Sequence, residues 1–422
     1  MRAGKPLHDV GREREVGFPC PSLRRSVAVP TRWVFGLGLT VLIGLGSACS
    51  SPPMVGTTEP GTSGSSATSL GPTVARSPSA PLATGTTVPG YRVGPLSFVS
   101  PSHGYGLVEF DTTGLSTAQQ LVVTENGGVT WQAASSTPLP AWASTLEFTD
   151  PDDGYAWGSQ GLDVTHDGGQ HWQMTLSLAT SNQAVSPIGS SIWAISSSGA
   201  LETSSDGGNS WQKAVQPPFS DLAALSRVGL SVAYALGSTQ SAQNGSPPGA
   251  LARTEDGGQT WQVLPLPQGC VGGGSDLVAL STDDLWLVEF GQPATDMSSK
   301  CVYRSSDGGL HWTLMASENI GIPSGGTGHI FSTGDFGPLD ALASKPDSAW
   351  LAEDRGGLLV TIDGGLTWQF AYRDPDVDAF GPPYVTFLDA THGWSAAGDG
   401  LWRTTDGLSW TEISQPPPAS HQ

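Results

Sequence analysis

Positive charge is scarce in this sequence. Its 422 residues include 18 Lys and Arg against 38 Asp and Glu, which gives a formal net charge of −20 at pH 7. Seven of the basic residues lie in the first 50 positions, so the rest of the chain carries a net charge of −24. Such a surface would repel nucleic acid and anionic lipid, and it would attract cations or basic partners. The same acidity is also compatible with a role in solubility alone.

Long apolar runs are scarce too. The run from Val34 to Leu45 is too short for a membrane span, which needs about 20 apolar residues. A basic flank ending at Arg32 precedes it and small residues follow it, so residues 1–49 are predicted to be a signal peptide. The run ends in LGSAC, which resembles a bacterial lipobox, and this resemblance implies lipidation of Cys49. Simple secretion and an uncleaved anchor are the alternatives.

The next segment lacks the residues that build a core. Of the 40 residues in 51–90, 32 are Ser, Thr, Pro, Gly or Ala, with no apolar period. We therefore expect residues 50–92 to be a disordered tether that holds a folded domain away from a membrane.

One motif dominates the rest of the chain. Its seven copies are TENGGVTW (124–131), THDGGQHW (165–172), SSDGGNSW (204–211), TEDGGQTW (254–261), SSDGGLHW (305–312), TIDGGLTW (361–368) and the shorter TTDGLSW (404–410). They resemble the Asp-boxes of BNR-repeat propellers. The carboxylate accepts backbone N–H bonds, the glycines supply positive φ, and the tryptophan packs between blades. The structural residues are Asn126, Asp167, Asp206, Asp256, Asp307, Asp363 and Asp406, with Trp131, Trp172, Trp211, Trp261, Trp312, Trp368 and Trp410.

An aromatic residue on a β-rich run precedes each motif, and the two alternate without exception. These seven are Tyr105, Tyr155, Trp193, Tyr234, Trp286, Trp350 and Trp394. Each repeat therefore predicts four strands, and seven four-stranded antiparallel blades make an all-β, seven-bladed β-propeller over residues 93–415. Residues 416–422 are expected to be a disordered tail.

The combination of F-x₅-G-Y/W with DGGxxW, as in FTDPDDGY (148–155), is similar to the photosystem II assembly and stability factor family. This resemblance covers about residues 94–414 and rests on the repeat unit, so it implies the fold more strongly than the role.

Extra residues fall at one end of the predicted ring. Insertions at 109–120, 237–249, 289–300 and 315–338 all join strands at the face opposite the Asp-boxes. Loops on a rigid scaffold are common binding sites, so this loop face is the predicted site. Its candidate binding residues are Glu318, Asp335, Arg355, Arg373 and Asp374.

Cysteine is rare, with four in the whole chain. Cys20 and Cys49 belong to the leader, whereas Cys270 and Cys301 fall on the loop face of blade 5. An oxidising compartment favours a Cys270–Cys301 disulfide, and two buried free thiols are the alternative.

Candidate chemistry on the loop face is limited to acids. Glu289 and Glu353 each lie three residues after a blade aromatic and could form a glycosidase pair, although solvated loop acids are the simpler interpretation. The spacing of Asp374, Asp376 and Asp378 departs from the EF-hand pattern further along, so no metal or other cofactor is expected.

Arg253, Arg304 and Arg403 each directly precede an Asp-box motif. They are interpreted as a repeated surface feature that pairs with neighbouring acids, with a three-arginine anion clamp as the alternative.

These features predict an exported, membrane-tethered, non-catalytic propeller. Its loop face would bind a protein segment or a cell-envelope polymer, without nucleic acid. A sialidase-like or other glycoside hydrolase is the alternative, because sialidases share Asp-boxes. We find no Arg-Ile-Pro segment and no clear arginine triad in the chain.

Overall fold

The computed structural model describes residues 80–111, 117–140, 142–178, 184–219, 221–238, 249–267, 272–291, 300–318, 336–353, 357–373, 384–397 and 400–414. Within these ranges, the backbone alone is described for 272–275, 291, 318, 336–338, 353, 373 and 397.

Twenty-nine strands form seven sheets in the described residues. A short strand, β1, covers Thr87–Val88 and precedes the first blade. Blades 1 to 4 contain β2 (Val93–Phe98), β3 (Gly104–Asp111), β4 (Thr117–Thr124), β5 (Trp131–Pro138), β6 (Thr145–Phe148), β7 (Gly154–Trp157), β8 (Leu162–Thr165), β9 (Gln173–Leu176), β10 (Val185–Ile188), β11 (Ser191–Ile195), β12 (Leu201–Ser204), β13 (Gln212–Lys213), β14 (Asp221–Arg227), β15 (Ala233–Ser238), β16 (Gly249–Thr254) and β17 (Gln262–Leu264).

Blades 5 to 7 repeat the same order. They contain β18 (Gly272–Ala279), β19 (Leu285–Gly291), β20 (Lys300–Ser305), β21 (Thr313–Glu318), β22 (Phe336–Ala341), β23 (Ala349–Glu353), β24 (Gly357–Thr361), β25 (Gln369–Arg373), β26 (Tyr384–Phe387), β27 (Gly393–Ala397), β28 (Gly400–Thr404) and β29 (Trp410–Ser414). Each blade pairs four consecutive strands antiparallel, which confirms the predicted seven-bladed β-propeller.

The burial of each strand follows its place in the blade. Blades stack face to face, so the middle strands are covered on both sides, as in the fully buried Leu162–Thr165 and Gly357–Thr361. Outer strands such as Gln173–Leu176 are largely exposed. Burial on both sides also encloses polar residues of the middle strands, such as Asp163 in LDVT.

The ring closes between blades 1 and 7 without an exchanged strand. β2 packs against β26, and the Trp394 indole donates to the Gly127 carbonyl across this junction at 3.0 Å. The segment before β2 also bridges it: β1 pairs with β5 of blade 1, and a 3₁₀ turn at Gly90–Arg92 contacts β28 and β29 of blade 7. The folded structure therefore starts before residue 93, the boundary expected from the sequence.

Six of the seven blade aromatics hydrogen-bond to the next blade. Four of them donate to the carbonyl four residues before the next blade's aromatic; for example, the Tyr105 hydroxyl donates to Pro151 O at 2.8 Å. In the other three bonds, Tyr155 donates to the Gly189 carbonyl, Tyr234 to the Thr282 carbonyl and Trp286 to the Pro346 carbonyl. Trp350 and Trp394 donate to a motif glycine, Gly407 and Gly127 respectively. These bonds fix each blade against its neighbour at the end of the ring that carries the motif turns, here called the box end.

Candidate functional site at the ring axis

The motif acids are used by the fold. In the second copy, the Asp167 carboxylate accepts bonds from the Thr165 hydroxyl and the His171 N–H, both at 2.9 Å, while Gly169 N–H donates to the Thr165 hydroxyl at 2.9 Å. Hydrogen bonds of this kind hold the pKa of Asp206, Asp256 and Asp307 at about 2. A carboxylate committed to its own turn is a poor candidate for proton transfer.

The two divergent copies keep the same turn chemistry. Asn126 replaces the carboxylate in the first copy, and its side-chain oxygen accepts from Thr130 N–H at 2.9 Å. In the shorter last copy, Asp406 accepts from the N–H groups of Leu408 and Ser409 at 2.8 and 2.7 Å. All seven positions therefore lie in turns at the box end.

The motif tryptophans lie at the blade junctions. Trp131 and Trp368 are buried and donate to a glycine carbonyl of their own turn. Trp261 and Trp312 donate to carbonyls of the preceding blade. The remaining three, Trp172, Trp211 and Trp410, are partly exposed.

The three arginines lie in different junctions and do not converge. Arg304 forms a bidentate pair with Asp284 of its own blade, at 3.0 and 2.9 Å, and contacts Asp347 of the next blade at 2.5 Å. Arg253 pairs with Glu255 and stacks on Tyr234. The anion clamp considered as an alternative is therefore wrong for the described residues, since each guanidinium serves its own junction.

Most of the predicted loop-face residues lie outside the described residues. This applies to Cys270, Asp335, Arg355 and Asp374, and also to Cys49 in the leader. For Glu318, Glu353 and Arg373 only the backbone is described, at the ends of β21, β23 and β25. Cys301 is buried and disulfide-bonded, and its pairing with Cys270 stays a prediction.

Glu289 is the one predicted catalytic candidate whose side chain is described. It lies on β19 directly opposite Cys301 and is buried, and its Oε2 has no hydrogen-bond partner. Burial raises the pKa of this carboxyl to about 7. Glu353 occupies the equivalent backbone position on blade 6, so the pairing of the two carboxylates stays a prediction.

Three acids on the innermost strands were not identified from the sequence. Glu147 lies on β6 opposite Tyr155, Asp340 lies on β22 opposite Trp350, and Asp276 lies on β18. The available signal was a charged residue beside apolar strand residues, as in TLEF (145–148) and DLVAL (276–280). A one-dimensional pattern does not tell which side of that strand faces the axis.

The pKa values show that these acids share one environment. Burial raises the pKa of Glu147 and of Asp340 to about 7, and each is raised further by a neighbouring carboxylate, Asp340 for Glu147 and Asp276 for Asp340. Blades 2 and 6 are not neighbours in the ring, so the repulsion between Glu147 and Asp340 acts across its axis. Both side chains are partly exposed, which indicates that they line a space reached by solvent.

Asp276 is more enclosed. Its carboxylate accepts from the Leu339 N–H of the next blade at 2.7 Å, which opposes the effect of burial and leaves its pKa at about 6. It therefore links two inner strands while adding negative charge beside Asp340.

Tyr384 and Glu109 lie nearer the opposite end of the ring, the loop end. Tyr384 starts the innermost strand of blade 7 and is 40% exposed, and its ring lies against Gly94 of blade 1. Burial, followed by the charge of Glu109, raises the pKa of Tyr384. An aromatic ring that is exposed yet surrounded by protein atoms marks a concave surface.

No group of three or more His, Cys, Asp or Glu side chains is arranged to hold a metal ion within the described part of the chain. In that part, no helix has the length and apolar character needed to cross a bilayer.

No protein-family model matches this chain, and no curated protein matches it. Solved structures do. YCF48 from Cyanidioschyzon merolae is 18% identical, with a TM-score of 0.48, over 77% of this chain and 97% of that one. A structure of YCF48 bound to D1 peptide is 19% identical, with a TM-score of 0.47, over 78% and 99%.

A larger protein is also similar. An ancestral GH74 enzyme is 14% identical, with a TM-score of 0.51, over 81% of this chain and 48% of that chain. The present chain thus spans about half the length of that enzyme. At these identities the similarity shows the propeller fold, and the chemistry has to be argued from the residues.

Proposed function

We propose that this chain is a non-catalytic binding propeller that recognises a cationic polypeptide segment at its axial channel. The observation that carries the proposal is the chain of like charges on the inner strands, in which Asp340 raises the pKa of Glu147 across the ring axis and Asp276 raises that of Asp340. Carboxylates that repel in this way store unfavourable energy, and a cationic ligand placed among them would relieve it.

The surroundings of these acids support a positive ligand. Asp276 adds a third carboxylate beside Asp340, and Glu109 adds a fourth beside Tyr384 near the loop end. The chain after residue 50 carries a net charge of −24, so its long-range field would steer a basic segment towards the ring.

Tyr384 supplies an aromatic surface beside Glu109 at the loop end. An exposed tyrosine in a concave position can stack on a peptide side chain or hold a Lys or Arg by a cation–π contact. A lysine- or arginine-containing peptide segment would engage both the ring and the carboxylates.

The experiment is a calorimetric titration at pH 8 with a Gly-Ser-Lys repeat peptide and its Gly-Ser-Glu counterpart. We expect saturable binding of the lysine peptide alone, weakened about tenfold in the Glu147→Gln/Asp340→Asn double variant. Glu125→Gln/Asp347→Asn removes the same charge from two well-exposed side chains and serves as the matched control. Equal weakening in the two double variants would reduce the effect to net charge and contradict a site at the axis.

The location of this module is part of the proposal. We place it on the outer face of a cell membrane, exported by the leader and tethered through lipidated Cys49 by the segment up to residue 80. The disulfide at Cys301 supports an oxidising compartment.

Replacing Cys49 tests this tether. Cys49→Ala is expected to move the protein from the membrane fraction to the soluble extracytoplasmic fraction, because a lipid chain is the only anchor proposed. Fractionation followed by immunoblotting measures the change, and Cys20→Ala is the control. An unchanged membrane fraction for Cys49→Ala would contradict lipidation at this position.

Glu289 favours a second candidate function, glycoside hydrolysis. A buried carboxyl with a pKa of about 7 and an unpartnered oxygen has the properties of a general acid. Turnover of fluorogenic glycosides that is lost in Glu289→Gln would support this candidate. If the unaltered protein does not hydrolyse these glycosides, this second candidate function is ruled out.

A further inference from the structure

One junction of the ring lacks the bond that the others share. Trp193 of blade 3 is the only blade aromatic whose polar atom donates to no carbonyl of the next blade in the described part of the chain. In blade 4, the Tyr234 hydroxyl donates to the carbonyl of Thr282, which lies four residues before the next blade aromatic, Trp286. The corresponding acceptor for Trp193 is the carbonyl of Leu230, four residues before Tyr234. Leu230 is 67% exposed. Blades 3 and 4 therefore leave a gap at the position where the blade aromatic closes the other junctions.

Blade 3 also lacks the arginine that fills the corresponding space in blades 4 and 5. In blades 4 and 5, Arg253 and Arg304 extend over the blade aromatic, and their Nη1 atoms lie 2.7 and 2.8 Å from where a Cβ would stand on Gly308 and Gly364 of the next blade. Blade 3 has Thr203 at this position. Accordingly, the corresponding Gly257 has only Leu230 O in its vicinity, at 3.6 Å.

The result is a cleft of about 240 Å³ between the two blades at the box end. Hydroxyl and amide groups dominate its surface, which is formed by Ser191, Trp193, Thr203, Ser204, Ser205, Ser210, Gln212, Leu230 and Gly257.

A buried cation lies beside this cleft. Arg227 of blade 4 reaches across the junction and donates to Ser186 O at 3.0 Å, to Ser191 O at 2.9 Å and to the Ser191 hydroxyl at 3.0 Å. Its guanidinium stacks over Trp193 at 4.8 Å from the ring centroid. It forms no ion pair with a carboxylate of the described residues, in contrast to Arg304. Burial lowers the pKa of Arg227 to about 10, so the side chain stays charged at neutral pH.

Two residues that line the cleft, Ser191 and Trp193, carry hydrogen-bond donors. The Ser191 hydroxyl already accepts from Arg227, so its own proton is free to point outward. The Trp193 indole N–H is the second donor. The cleft thus offers donors and a nearby uncompensated positive charge, which is the combination that a carboxylate requires.

We propose that the cleft between blades 3 and 4 is a binding site for a carboxylate group, held by the Trp193 indole N–H and the Ser191 hydroxyl and neutralised by Arg227. The site is separate from the axial channel and selects the opposite charge. A partner segment that carries both charges would be held at the axis by its basic residues and at this cleft by an acidic one.

The indole N–H resonance of Trp193 gives a direct test. In the purified protein labelled with ¹⁵N-tryptophan, that signal is assigned by its loss in Trp193→Phe. Titration with sodium acetate is expected to shift it downfield to saturation, with a Kd on the order of 10 mM. Sodium chloride at equal ionic strength should leave it in place, and the Trp286 signal should not respond to acetate.

Two further arms identify the source of the carboxylate and the need for the open cleft. N-acetylglutamate α-amide presents a side-chain carboxylate, and N-acetylalanine presents a terminal one. If only one of the two compounds shifts the Trp193 signal to saturation, the natural ligand group is a carboxylate of that kind. Thr203→Arg restores the arginine of blades 4 and 5 and is expected to abolish the saturable shift. Absence of a shift with acetate, or an unchanged shift in Thr203→Arg, would overturn the proposal.

Discussion

Acidic residues have opposite roles in the motif turns and on the inner strands. Asp307 lies in a motif turn, where the N–H and ring of His311 and the Ser305 hydroxyl hold its pKa at about 2. Glu147 lies on an inner strand without such donors, and burial raises its pKa to about 7. The first carboxylate is committed to the fold, whereas the second is kept partly protonated and open to a ligand.

This contrast predicts a pH-dependent change in stability for Glu147→Gln. The folded protein retains a proton on Glu147 that the unfolded chain loses above about pH 4.5, so this residue contributes less to stability as the pH rises to about 7. At pH 8 we therefore expect the variant to be more stable by about 1 kcal/mol, after allowance for the partial exposure of the group. At pH 4 the difference should vanish. Urea unfolding of both proteins at both pH values measures it, and a stability advantage of the variant over the unaltered protein that is no larger at pH 8 than at pH 4 would contradict the assignment.

At the scale of the strand and turn, the repeats could be predicted from sequence because their interactions are local. The Thr165, Asp167 and Gly169 contacts span four residues, so the spacing of the motif reveals them. The axial acids could not be predicted in this way. Their position depends on which blades face each other across the ring, which is set by 200 or so residues of intervening chain. The cleft at Trp193 combines both cases. The sequence shows that Thr203 stands where blades 4 and 5 have arginine, whereas only the structure shows that the Trp193 indole lacks a hydrogen bond to the next blade.

The bonds between blades predict a measurable stability difference. Tyr234→Phe removes the hydroxyl that donates to Thr282 O at 2.7 Å and leaves that carbonyl without this partner. The expected cost is about 1 kcal/mol in the free energy of unfolding. Within the described part of the chain the Tyr384 hydroxyl donates to no other blade, so Tyr384→Phe serves as the control. Equal costs for the two variants in urea unfolding would mean that these bonds do not stabilise the ring.

On the scale of the whole molecule, the aromatic residues that close the blade junctions are different residues from those of the proposed binding sites. The box end holds the motif turns and the hydrogen bonds between blades, and six of seven junctions are closed there by an aromatic residue of the preceding blade. The segment Thr87–Arg92 closes the ring across blades 1 and 7. The acids of the innermost strands and the cleft at Trp193 take no part in these bonds between blades, and these are the places where we put the two binding sites.

The pH dependence of lysine-peptide affinity tests the central claim most directly. Glu147 and Asp340 have pKa values of about 7 and Asp276 of about 6, so the axial charge is lost as the pH falls from 8 to 5. We predict that the affinity of the Gly-Ser-Lys peptide falls about tenfold over this range, with a midpoint between pH 6 and 7. The Glu147→Gln/Asp340→Asn variant should show a much flatter profile. An affinity that does not change between pH 8 and pH 5, or a profile that the double variant leaves intact, would contradict recognition at the axial acids.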